Sequence, residues 1–177
     1  MPVNIPILLT WLRIVMIPLM IAVFYVPESW LHDIGRNLAA TLIFVVAAVT
    51  DWLDGYLARR WNQTSAFGAF LDPVADKLVV AAALIMLVQL GRLDAILAAI
   101  IIGREITISA LREWMAQIGA HKSIAVSMIG KIKTVAQMLA IPLLLYHSPI
   151  SDLEVQNLGT WLIYIAAVLT LWSMGYY

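Results

Sequence analysis

Six apolar runs, each close to the length of a bilayer crossing, divide this chain, with polar or turn-forming residues between them. A helix needs about 20 predominantly apolar residues to cross the hydrocarbon of a membrane. The runs cover residues 5–26, 37–60, 72–90, 93–113, 124–146 and 158–176, joined by "PESWLHDIGR", "NQTSAFG", "GRLD", "AQIGAHKS" and "HSPISDLEVQN". Only helices and closed barrels satisfy their backbone groups in lipid. The expected fold class is therefore all-α: a polytopic membrane protein of six transmembrane helices, forming one domain over residues 1–177. Composition agrees, with 63% hydrophobic and only 12% charged residues, against about 25% charged in a soluble domain.

Several function classes drop out. The formal net charge is zero, which argues against a nucleic-acid partner recruited by bulk electrostatics. With no cysteine in the chain, disulfides, zinc–thiolate sites and thiol nucleophiles are excluded. The first run, within "MPVNIPILLTWLRIVMIP", has neither a basic n-region nor a small-residue cleavage site, so it reads as a retained span.

Lysines and arginines near span ends set the orientation. Arg59 and Arg60, then Arg112 and Lys122, mark one side, whereas the other has Arg36 and Arg92 offset by five acids. The positive side is expected to be cytoplasmic, with both termini on it. Alternating spans then bring nearly every intramembrane polar residue into the cytoplasmic half. Thr10 and Arg13 come early in the first span, Asp51 and Asp54 late in the second, and Asp72, Asp76 and Lys77 early in the third. Arg104, Glu105 and Ser109 come late in the fourth, and Lys131 and Lys133 early in the fifth. Such residues normally face a bundle interior and mark a functional path. The outer half reads as plain hydrophobic scaffold.

The densest cluster lies in "DWLDGYLARRWNQTSAFGAFLDPVADK". Asp51 and Asp54 are i and i+3, followed on the same stripe by Gly55 and Ala58. Asp72 and Asp76 are i and i+4, and Gly68 joins their face if the helix starts early enough. Consecutive antiparallel spans allow the two pairs to meet. Two like charges about 4 Å apart repel by roughly 4 kcal/mol at an effective dielectric of 20. Either some carboxyls protonate or cations neutralise them. Hard oxygen ligands without histidine or cysteine favour Mg2+, Mn2+ or Ca2+, and carboxylate-held Mg2+ commonly completes its shell with water and substrate phosphate oxygens. Two such ions would clamp both oxygens of a phosphoryl displacement.

Plainer roles compete residue by residue. Asp72 before Pro73 matches an N-cap followed by proline at the first helical position. Asp76 and Lys77 would neutralise one another at the surface, and Asp51 with Arg13 or Asp54 with Arg59 would make structural ion pairs. The joint spacing is far more specific than any one member.

That spacing resembles the signature of the CDP-alcohol phosphotransferases, D-x-x-D-G-x-x-A-R, eight residues, G-x-x-x-D-x-x-x-D. It is met without departure by Asp51, Asp54, Gly55, Ala58, Arg59, Gly68, Asp72 and Asp76. "NIPILLTWLRIVMIP", "REITISALREWMA", "GKIKTVAQM" and "AAVLTLWSM" extend the likeness to the bacterial phosphatidylglycerophosphate synthases of that family over nearly the full length. The resemblance also leads one to expect a short polar tail beyond "WSMGYY".

The resemblance implies a six-helix, usually homodimeric enzyme of the bacterial cytoplasmic membrane, its active site facing the cytoplasm. It would join CDP-diacylglycerol and sn-glycerol 3-phosphate into phosphatidylglycerophosphate, releasing CMP. Two divalent ions, Mg2+ or Mn2+, would be held by Asp51, Asp54 and Asp72 and by Asp51, Asp72 and Asp76. Asp76 would be the base that deprotonates the acceptor hydroxyl. Gly55, Arg59 and Ser65 would contact the cytidine diphosphate, Ala58 and Gly68 would leave it room, and Asn4 and Thr10 would complete the cavity. The acceptor phosphate requires cations in the same half. Arg112 and Lys131 are the first choices, with Lys133 and Arg104 beside them, since arginine offers a fork and lysine a compact charge.

The other conspicuous residues read plainly. His32, His121 and His147 fall in three different connections, too dispersed for a metal site. Most of the seven tryptophans fall near span ends, as in an interfacial belt. Rival functions remain: relatives using inositol phosphate, phosphatidylglycerol or serine as acceptor, a cation or proton transporter using the aspartates as a relay, and a non-catalytic lipid-binding scaffold.

Overall fold

A computed structural model describes residues 5–61, 66–118, 128–149 and 154–174. The side chains of residues 54–70, and those of Arg112 and Lys131, are outside the described set. Six helices account for the architecture: α1 (Ile5–Val23), α2 (Asp33–Trp61), α3 (Ala66–Gln89), α4 (Ala95–Gln117), α5 (Met128–Tyr146) and α6 (Val155–Met174). No strand occurs among the described residues.

The helices follow the order of the apolar runs, but their ends differ. The second helix begins at Asp33 rather than residue 37, the third at Ala66 rather than 72, and the sixth at Val155 rather than 158. Hydropathy registers apolar runs, whereas a helix ends where its backbone ladder ends, and the two need not coincide. One consequence matters for function. With α3 starting at Ala66, Asp72 and Pro73 lie inside the helix, so Asp72 is not an N-cap and its carboxylate is available for other work.

Phe44 of α2, Leu84 and Leu87 of α3, Ile101 of α4, Ile141 and Leu144 of α5 and Ile163 of α6 form one buried cluster. The most extensive contact is α5 on α6. Gly159 permits it, because a Cβ there would meet Leu144 Cγ at 3.0 Å and Leu143 Cβ at 3.2 Å. The outward faces are apolar instead of polar, with Val15, Val46, Ile85, Leu139, Trp161 and Trp172 among many large exposed side chains. Exposed apolar side chains in that number suit a surface covered by lipid or by another protein. Among the described residues, Asp33–Leu53 and Val155–Ser173 are long and apolar enough to cross a membrane, and Leu8–Val23 and Ile132–Tyr146 are shorter apolar stretches.

The end of the bundle opposite the aspartates contains a polar clamp that a plain scaffold would lack. Helix α3 stops in a Schellman turn: Gly91 N–H donates to Val88 O at 3.0 Å and Arg92 N–H to Leu87 O at 2.9 Å, with Gly91 in the left-handed region at φ 68°. The turn delivers Arg92 to the C-terminus of α5. There its guanidinium donates to Leu144 O at 3.2 Å, Leu145 O at 2.7 Å and Asn37 Oδ1 at 2.8 Å. The last carbonyls of a helix have no partner within it, so one side chain satisfies α5 and ties it to α2. Beside it, burial and the Arg92 charge push the His147 imidazole below its ordinary pKa. Arg92→Ala is expected to destabilise the protein by about 2–3 kcal/mol, read as a lower melting temperature in detergent, with turnover of the folded fraction unchanged.

Candidate active site

Antiparallel α2 and α3 bring Asp51, Asp72 and Asp76 to one end of the bundle, and α1 threads between their charges. Thr10 of α1, fully buried, donates its hydroxyl to Asp72 Oδ1. One turn on, Arg13 is only 1% exposed and its Nη1 lies 2.7 Å from Asp51 Oδ1, the carboxylate being 41% exposed. The ion pair anticipated between Arg13 and Asp51 is thus present. It also shows what Asp51 demands: a positive charge, supplied by a buried side chain from another helix. Thr10 reaches the site through Asp72, a role that its residue type alone did not reveal.

Lys77 bears on Asp76 as an opposite charge, and it also has a second partner across the bundle. The Lys77 ammonium donates to Ser109 Oγ of α4, pinning α3 to α4 where a cavity of about 750 Å3 opens between α3, α4 and α5. Asp76, Lys77, Glu105, Ser109 and Glu113 line its polar end, and Val80, Ala81, Ile101, Ile102 and Met138 its apolar end. Charged and apolar side chains thus share one cavity, as is common in ligand sites.

A second polar network stands behind the cavity. Glu105 takes the Lys133 ammonium of α5 on Oε1, and its Oε2 lies 3.8 Å from Arg104 Nη1. Arg104 Nη2 donates to Ser173 Oγ of α6 at 3.0 Å. Lys133 and Arg104 are both buried. Among the described residues, α4 and α5 make no close backbone approach, so the Glu105–Lys133 pair bridges an actual gap. The sequence placed these charges in one half of the membrane but did not show that they pair through Glu105. Charge pairing between nonadjacent helices has no signal in a single sequence.

The other expected site residues are placed less fully. Asp54, Gly55, Ala58 and Arg59 lie on the last turns of α2, Gly68 on the first turn of α3, Arg112 on α4 and Lys131 on α5; their side chains are outside the described set. Asn4 and Ser65 lie outside the described residues. Gly68 does share the helix of Asp72 and Asp76, as the i, i+4, i+8 stripe requires.

The donor chemistry suits a hard divalent cation: carboxylate oxygens from two helices and no thiol in the chain, with Arg13 already compensating the charge on Asp51. Among the described side chains, no three His, Cys, Asp or Glu groups converge closely enough to hold a metal. Asp54, the fourth aspartate, lies one turn beyond Asp51 on α2, its side chain outside the described set.

A helical bundle with acidic stripes on two adjacent antiparallel helices defines a class, and sequence comparison identifies it. The family model described as CDP-alcohol phosphatidyltransferase matches residues 3–172, and the chain belongs to that family. Among curated relatives, the CDP-diacylglycerol–glycerol-3-phosphate 3-phosphatidyltransferases of Escherichia coli (strain K12), Shigella flexneri and Shigella boydii serotype 4 are each 52% identical to it over 179 residues. The alignments cover 100% of this chain and 94% of each relative.

Proposed function

We propose that the chain transfers the phosphatidyl group of CDP-diacylglycerol to sn-glycerol 3-phosphate, giving phosphatidylglycerophosphate and CMP. The observation that carries this reading is the 52% identity, over the full chain, to enzymes named for that reaction. The unbroken eight-position signature on α2 and α3 supports it. All six helices would span the bacterial cytoplasmic membrane as one catalytic domain over residues 1–177. Both termini and the aspartates would lie on the cytoplasmic side, and the protein would act as a homodimer.

In the reaction, a primary hydroxyl oxygen of the acceptor bonds to the β-phosphorus of the donor. The bond from that phosphorus to the CMP oxygen breaks, and the hydroxyl proton passes to Asp76. The family's dependence on divalent metal fits here: Mg2+ or Mn2+ held by Asp51, Asp54, Asp72 and Asp76 would supply positive charge to the diphosphate as negative charge develops on CMP. The remaining roles fall to the chain itself. Thr10 holds Asp72 by its hydrogen bond, and Arg13 holds Asp51, so both carboxylates are oriented before substrate arrives. Gly55, Arg59 and Ser65 would contact the cytidine diphosphate, with Ala58 and Gly68 leaving room for it. Arg112 and Lys131 would receive the acceptor phosphate, with Lys133 and Arg104 adding positive charge to the same half of the membrane.

The direct test is CMP release from CDP-diacylglycerol by purified protein, with each acceptor offered singly. Turnover is expected with sn-glycerol 3-phosphate and not with inositol phosphate, phosphatidylglycerol or serine. Turnover with inositol phosphate alone would keep the class and overturn the acceptor. Cation flux in liposomes without CMP release would point to a transporter instead.

A further inference from the structure

The cavity wall carries a carboxylate that the chemistry above leaves without a task. Glu105 is 28% exposed and lines the cavity together with Asp76, Lys77 and Ser109. Its two partners, Lys133 and Arg104, are buried and are not among the cavity-lining residues. The cations thus stand behind the carboxylate, and the anion alone reaches the open space. Such an arrangement holds the anion in place, because moving it would weaken the pairing of two buried cations. A carboxylate offers about four lone-pair sites, so contact with both cations leaves capacity to accept another hydrogen bond.

We infer that Glu105 determines acceptor specificity by accepting a hydrogen bond from the acceptor hydroxyl that does not react. The inference rests on the reading that the acceptor is sn-glycerol 3-phosphate, which has two hydroxyls. One gives its proton to Asp76. The other enters a cavity walled largely by Val80, Ala81, Ile101, Ile102 and Met138, with Thr134 and Gln137 the polar groups on its α5 side, and an unpartnered hydroxyl there is costly. Glu105 lines the same cavity as Asp76 and is held by charges from α4 and α5. Lys133 and Arg104 are then positioning residues that act through it. A site built to bond a substrate hydroxyl discriminates strongly against the analogue that lacks it.

The experiment compares kcat/KM for CMP release with sn-glycerol 3-phosphate and with 3-hydroxypropyl phosphate, the same acceptor without its middle hydroxyl. The wild-type chain is expected to prefer glycerol 3-phosphate by about 10- to 100-fold, the range of a hydrogen bond to a charged group. Glu105→Ala should bring the two acceptors within about 3-fold of one another, and Glu105→Gln should cut the preference by at least about 5-fold, neutral acceptors bonding more weakly. A merely structural role would slow both acceptors alike and leave the ratio where it was. The near-isosteric Glu105→Gln carries the test if the alanine variant does not fold. A wild-type preference below about 3-fold, or a ratio unchanged in Glu105→Gln, overturns the inference while the reaction stands. No CMP release by the wild-type chain with either acceptor overturns the acceptor assignment and this inference with it.

Discussion

Asp76→Asn is expected to lower CMP release by at least about a thousandfold while leaving the protein as stable as before, or more so. A positioned general base contributes about 10²- to 10⁴-fold, and the amide can neither take the proton nor bind a cation as a carboxylate does. Stability should move the other way. Asp76 is part-buried, with Asp51 and Glu105 as like-charged neighbours and Arg13 and Lys77 as opposite ones, and Ala75 and Val79 beside it on α3 are buried. Neutralising it removes first the cost of burying a charge, without changing shape. Loss of turnover with an unchanged or higher melting temperature is the pattern of a residue kept for function at the expense of stability. A scaffold that merely binds lipid predicts no change in either quantity. The pair of measurements, rates and thermal melts on the same purified sample, separates the two.

Chelation should have an effect of similar size. Removing divalent ions with EDTA is expected to abolish CMP release, by more than about a thousandfold, and added Mg2+ or Mn2+ to restore it. The carboxylates would lose the charge that makes their crowding tolerable and the electrophilic support for the leaving CMP. The fold should survive, because Arg13 pairs with Asp51 and Thr10 with Asp72 from inside the bundle. Melting temperature should nevertheless rise with metal concentration, as for any ligand that binds only the native state. Turnover that persists in excess chelator would contradict the role given to the aspartates.

Much of this was legible in the chain because lipid imposes a strict rule: apolar length fixes the helices, and the few polar residues inside them must converge. That Asp51 and Asp54 share one helix, and Asp72 and Asp76 the next, could be read from spacing alone. Helix ends could not, since Asp72 followed by Pro73 has the form of a cap although α3 has already begun at the apolar Ala66 to Leu71. The Arg92 clamp was also hidden. A single arginine after a glycine reads as a surface charge until the Schellman turn is seen to aim it at the α5 carbonyls. Glu105 is the third case. Its position late in the fourth run named no partner, and the nearer one is Lys133, 28 positions away on α5.

The most direct test of the central claim, that two acidic helix faces share divalent ions, is an anomalous difference map from crystals grown with Mn2+ and CDP-diacylglycerol. Two peaks between α2 and α3, within coordination distance of Asp51, Asp54, Asp72 and Asp76, are the expected result. Peaks elsewhere, or none while the nucleotide is bound, would contradict it.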